Sequence, residues 1–150
     1  MKETIKSIIA KLGAMPELNS ADEDWGQLDY YSNNFPVKFP CALVDVSNAN
    51  FSNIGMDKNA SPQNRQLAET TISLTIANVK LTNTAFRAPE AQKDTAFSIW
   101  DLLEAIHVQL HGWHPTDTSG KLIRMGHQRI KRDDGVQEYT LIYSLGINNV

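Results

Sequence analysis

Across residues 66–81 (QLAETTISLTIANVKL) apolar and polar positions alternate, with Ala68, Ile72, Leu74 and Ile76 set against Glu69, Thr71, Ser73 and Thr75. A period of two predicts a strand with one face toward a core. Residues 41–46 (CALVDV) put Ala42, Val44 and Val46 on one face and Leu43 on the other, a strand covered at least partly on both sides. The period changes to helical at two places. Ile5, Ile8, Ile9 and Leu12 predict a short amphipathic helix over 4–13, closed by Gly13 and Pro16. Over 89–111 a broad apolar stripe of Phe97, Ile99, Trp100, Leu102, Leu103, Ile106 and Leu110 faces away from Asp94, Asp101 and Glu104. Gly112 supplies the left-handed position that ends this helix, and Pro115 prevents its continuation.

Two stretches lack a period. Residues 19–40 are polar and aromatic, interrupted by Pro36 and Pro40, and predict a connector with one short strand near 28–31. Residues 47–64 are rich in asparagine and contain Gly55, Asn59 and Pro62, which predicts a long loop. The chain closes with KLIRMGHQRIKR, DDG and VQEYTLIYSLGI, a hairpin. If Asp134-Gly135 forms a two-residue turn, Arg132 faces Gln137, Lys131 faces Glu138 and Ile130 faces Tyr139. That register gathers Leu122, Ile130, Tyr139, Leu141, Tyr143, Leu145 and Ile147 on the core face and puts His127, Arg129 and Lys131 on the other. Gly126 marks a bulge. The pattern predicts an α+β fold: a mostly antiparallel (mixed) sheet, the long amphipathic helix and the N-terminal helix on one face, and a C-terminal β-hairpin.

The length of 150 residues suits a single domain spanning 1–150. An apolar share of 41% and a charged share of 21% are those of a globular protein. The net charge of -3 gives no electrostatic reason to expect nucleic-acid recognition. Cys41 is the only cysteine, so no disulfide forms within the chain. No segment approaches the roughly 18 apolar residues of a membrane span, and Lys2, Lys6 and Lys11 interrupt the opening stretch, so a soluble protein made in a cytoplasm is expected.

Candidate chemistry is sparse. His107 and His111 stand one helical turn apart, the spacing of a zinc metalloprotease pair, and His114 could join them in a metal-dependent hydrolase. The position of the glutamate base in that motif is Val108, and the pair also fits the polar side of a final helical turn. Asp133 and Asp134 resemble an acid–base pair, but adjacent strand residues diverge and Asp-Gly suits a turn. No phosphate-binding glycine motif and no nucleophile elbow occurs. We therefore expect no enzyme, no cofactor and no bound metal. Lys121, Arg124, His127, Arg129, Lys131 and Arg132 form the one cationic run, suited to a solvated sheet face, to contact with another subunit, or to a small nucleic-acid-binding module.

The stretches FPCALVDV, TISLTIANV, FSIWDLLEAIHVQLHGW and RIKRDDGVQEYTLIYSL, in that order after an N-terminal helix, resemble the tail terminator or tail completion proteins of long-tailed phages, the group that includes the minor tail protein U family. The resemblance spans most of 39–147. It implies a subunit that assembles with itself into a ring, a hexamer, on the end of a finished tail tube, at the junction of tail and head in a phage or prophage particle. Such a ring stops tube polymerisation and offers a joining surface to head–tail connector proteins; other neck or head-completion subunits share the architecture. The residues expected at subunit or tube contacts are Arg124, Arg129, Lys131 and Arg132 on the hairpin, and Asn53, Met56, Asp57 and Lys58 in the long loop.

Overall fold

The computed structural model describes residues 1–29, 36–79 and 84–148. Helix α1 (Lys2–Gly13) leads to strand β1 (Ser20–Glu23) and a single 3-10 turn at Gln27–Asp29; strands β2 (Cys41–Met56) and β3 (Asn64–Val79) follow, then helix α2 (Glu90–Leu110) and strands β4 (Ile123–Ile130) and β5 (Val136–Asn148). The strands form one five-stranded sheet in the order β1-β2-β3-β5-β4. Only the β1–β2 pair is parallel. This is the expected α+β mixed sheet.

The alternation in β3 and β5 decides which face carries the core. Ile72, Leu74 and Ile76 lie beside Tyr143, Leu141 and Tyr139 of β5, and all are buried. Both helices cover this face, with Ile8 and Leu12 from α1 and Ile99, Leu102, Leu103, Ile106 and Leu110 from α2 in the same cluster. Each fully buried aliphatic side chain contributes roughly 1.5–3 kcal/mol of transfer free energy. The opposite face holds a smaller cluster of Leu28, Cys41, Leu43, Ala77 and Val136, covered by Val37 and Phe39 of the connector. Cys41 to Val44 are thus buried on both sides, as their unbroken apolar run requires. Burial pushes the Cys41 thiol up to about 12.

Four expectations need correction. The short strand expected near 28–31 lies earlier, at Ser20–Glu23, parallel to β2; Leu28 belongs to the 3-10 turn, and Tyr30 and Tyr31 lie outside the described residues, as do Lys80 and Leu81 at the end of the predicted central strand. The loop expected over 47–64 is mostly strand. Strands β2 and β3 pair, with register shifts at Val46/Asn48 and Asn53/Gly55, as far as Met56↔Asn64, leaving residues 57–63 as the loop between them. Asparagine and serine hid the strand because residues 47–56 of β2 are exposed or half-buried on both faces, so no burial imposes a period on that stretch.

The hairpin register is one residue away from that expected: Ile130 pairs with Glu138, Arg129 with Tyr139 and His127 with Leu141. A slip of one residue exchanges the faces. His127 and Arg129 therefore stand on the helix-bearing face, and Ile130, exposed, on the other. The connection is longer than a two-residue turn because Arg132 and Asp134 are drawn into an ion cluster that closes the end of the hairpin. The bulge expected at Gly126 is present between Arg124 and Gly126.

The stripe of α2 is also rotated. Ile99, Leu103, Ile106 and Leu110 are buried, whereas Phe97 and Trp100 are 47% and 45% exposed at its rim. The Trp100 ring still rests on the sheet, 5.0 Å from Tyr139 and 6.1 Å from His127. Gly112, at φ +79, ends the helix as expected and donates its N–H to Leu122 O at 2.8 Å, which pins the start of β4.

Candidate assembly interface

The histidine group does not gather around one point. His107 and His111 stack with ring centroids 4.7 Å apart, but His111 Nδ1 accepts the Arg124 backbone N–H at 3.2 Å. His114 Nδ1 lies 3.2 Å from Ser119 O, and His127 stands across from Trp100. Among the described residues no group of three or more His, Cys, Asp and Glu side chains is placed to hold a metal ion. Burial, with Arg124 and His111 nearby, lowers the pKa of His107, whose Nδ1 has no hydrogen-bond partner. The buried Tyr143 hydroxyl is likewise without a partner, and burial raises it to about 12. Burial disfavours the charged form of both groups.

Asp133 and Asp134 serve the turn. Asp134 accepts the Val136 N–H at 3.2 Å and pairs with Arg132 at 2.7 Å, which lowers its pKa. Arg132, expected at an interface, turns inward. Its side chain is 6% exposed, bridges Glu138 at 3.0 Å, and donates to the Leu28 carbonyl. It joins the hairpin turn to the connector. Desolvation raises the Glu138 pKa even though the Arg132 hydrogen bond opposes that rise.

The other hairpin cations face solvent. Arg124, Arg129 and Lys131 are exposed, and none takes part in an ion pair among the described residues. Arg129 lies over the Tyr139 ring at 5.8 Å. Between β4 and α2 opens a cleft of about 390 Å³, whose lining includes Trp100, Leu103, Glu104, Arg124, Met125 and His127. The cleft is not legible in residue order, because it depends on how the bulge at Arg124/Gly126 sets β4 beside α2.

Asn53 and Met56 fall in the distal half of the β2–β3 ribbon, and Asp57 and Lys58 in the turn at its tip. Asn53 Oδ1 accepts Gln66 Nε2 at 3.0 Å across the pair, and Asp57 organises the turn by accepting the Asn59 N–H at 2.9 Å. Beside them Phe51, Ile54 and Met56 are 52%, 52% and 68% exposed. These large apolar side chains thus stand in solvent on a paired ribbon.

No family model matches the chain, and no curated protein matches it. Among solved structures the chain is similar to one from the virion of a native gene transfer agent particle. The identity is 11%, the match covers 95% of this chain and 92% of that one, and the TM-score is 0.47. No helix among the described residues is long and apolar enough to cross a membrane.

Proposed function

We propose that this chain is a structural subunit of a phage-like tail that closes into a ring, a hexamer, on the end of the tail tube. There it stops tube growth and presents a surface to the head connector. The observation that carries the reading is the β2–β3 ribbon. Past Val44 the edge of β2 is left unpaired by β1, and past the Ser52↔Leu67 pair the ribbon runs on beyond β5 as well. It carries Phe51, Ile54 and Met56 outward where neither helix covers them. A rigid ribbon with exposed apolar side chains suits insertion between subunits of another assembly, since little ordering is required on contact. The sequence resemblance to tail terminators adds the place of that assembly.

The test is direct. Purified protein added to polymerising tail tube subunits should arrest growth and leave a ring on tube ends in electron micrographs. Tubes that lengthen without limit and keep bare ends in its presence would contradict the proposal.

A further inference from the structure

The sheet order places the two charged runs of the chain on its two edges. Strand β1 carries exposed Asp22 and Glu23, and strand β4, with the turn after it, carries exposed Arg124, Arg129 and Lys131. None of these five forms an ion pair among the described residues. The edges also stand at one height. Following the pairing across the sheet, Glu23 is level with Val44, Leu74, Leu141 and His127, and Ala21 with Ala42, Ile76, Tyr139 and Arg129. The two edge strands run antiparallel to each other.

Each edge adds an apolar element at that height. Just past Glu23, Trp25 is 56% exposed. It is held on a fixed turn: its N–H donates to Gln27 Oε1 at 2.8 Å, and the Gly26 N–H, at φ +89, donates to Asp24 Oδ1 at 3.0 Å. On the other edge lies the cleft beside Trp100, Met125 and His127, with a volume of about 390 Å³. That is within the size range of sites that seat a small ligand or a large side chain. A backbone ladder between the edges is closed at Glu23, whose N–H is taken by Asp22 Oδ1 and whose carbonyl by Gln27 Nε2.

We infer that a second copy of this chain docks head to tail on the β4 edge, its Trp25 entering the Trp100–Met125 cleft and its Glu23, on the same face of the sheet, meeting Arg129 and Arg124. The contact is made by side chains. Two different patches on one subunit make a heterologous contact, which repeats into a closed ring when the rotation between copies closes. The indole is the anchor, since aromatic side chains buried in a partner's pocket dominate such contacts. The charges set the partner and the orientation. This inference rests on the ring reading above and supplies the surface it requires.

Cross-linking tests the contact. Glu23→Cys and Arg129→Cys proteins, mixed and treated with a short bis-maleimide, should give a cross-linked dimer, and the double variant a ladder ending at the closed ring. Cross-linking of Glu23→Cys to itself, or assembly of the double variant without the ladder, overturns the inference. Trp25→Ala should weaken self-association at least about tenfold with an unchanged far-UV spectrum, and so should Glu23→Lys. The pair Glu23→Lys with Arg129→Glu should recover assembly, and a pair as defective as the single variant counts against the contact. A ring cross-linked through this pair that fails to arrest tubes would overturn the capping role and keep the contact. Normal capping by Trp25→Ala and Glu23→Lys proteins would do the reverse.

Discussion

At its Cys41 end the β2–β3 ladder is buried on both faces, and at its Met56 end the same ladder is exposed on both. Backbone pairing is continuous between the two ends apart from bulges at Val46/Asn48 and Asn53/Gly55. What differs is the use of side chains. At the buried end they hold the domain together, and at the exposed end they contribute little within the chain and remain available to others. The difference predicts that substitutions along one strand divide into those that unfold the protein and those that only disarm it.

The largest effect is expected at the buried end. Leu74, fully buried between β2 and β5, sits in the main cluster beneath the helices. Leu74→Ala should cost about 4 kcal/mol through lost transfer energy and a cavity, measured by urea denaturation. A loss below about 1 kcal/mol would mean that this end is not the fold's centre.

Arg132→Ala should follow, at about 2–3 kcal/mol, because it strands Glu138 and Asp134 and releases the connector from the hairpin. The loss should depend on pH. Burial holds Glu138 above the usual carboxylate value of 4.5. The folded state therefore keeps this proton longer than the unfolded chain does, and the carboxyl withdraws stability as pH rises from 4.5 through its folded value. Removing the guanidinium should extend that withdrawal to higher pH. Denaturation series with and without Arg132 check both size and sign.

Both of these regions show how far the fold was legible. Leu74 belongs to a strand that alternation fixed almost residue by residue, since one face had to be buried. The hairpin at Arg132 was recognised but set one residue out, because charge pairing across the strands suggested a register that the ion cluster at the turn overrides. The distal half of β2 is unreadable as strand, for the reason that makes it interesting: with both of its faces wet, no period is written into it. Of the expected contact residues, Arg124, Arg129 and Lys131 are exposed, and Asn53 and Met56 lie along the ribbon with Asp57 and Lys58 in the turn at its tip, while Arg132 is bound within its own chain. Trp25 and the cleft beside Trp100 went unmarked, because an exposed tryptophan and a groove are products of tertiary placement.

A smaller effect concerns His107. Its pKa is lowered from 6.5, first by burial and then by Arg124 and His111. As pH falls through 6.5 the unfolded chain takes up a proton that the folded chain refuses, so stability declines until pH passes the folded value. His107→Leu should remove this decline, so that stability falls less steeply as pH drops below 6.5. An unchanged slope would show that the imidazole is solvated after all. Zinc retained stoichiometrically on dialysis, and lost in His107→Ala, would restore the metal reading of this helix end.

The smallest effect on stability is expected at the exposed end, and there the comparison is most open to refutation. Phe51→Ser and Met56→Ser remove side chains that are 52% and 68% exposed. Exposed substitutions usually stay within about 0.5 kcal/mol, and the ladder hydrogen bonds that hold the ribbon do not use these side chains. Nothing about folding should therefore change, and denaturation midpoints should match the parent protein. If the ribbon reaches into the tail tube, the double variant should nonetheless lose tube arrest, because the apolar area that would be buried there is gone. Shortening the turn at 57–63 should act in the same direction, since the Asp57 hydrogen bonds that order it serve only the tip. Particles assembled with these variants should show overlong or headless tails in electron micrographs. A variant that folds and also caps normally would mean that the exposed half of the ladder is idle, and the reading built on it would fall.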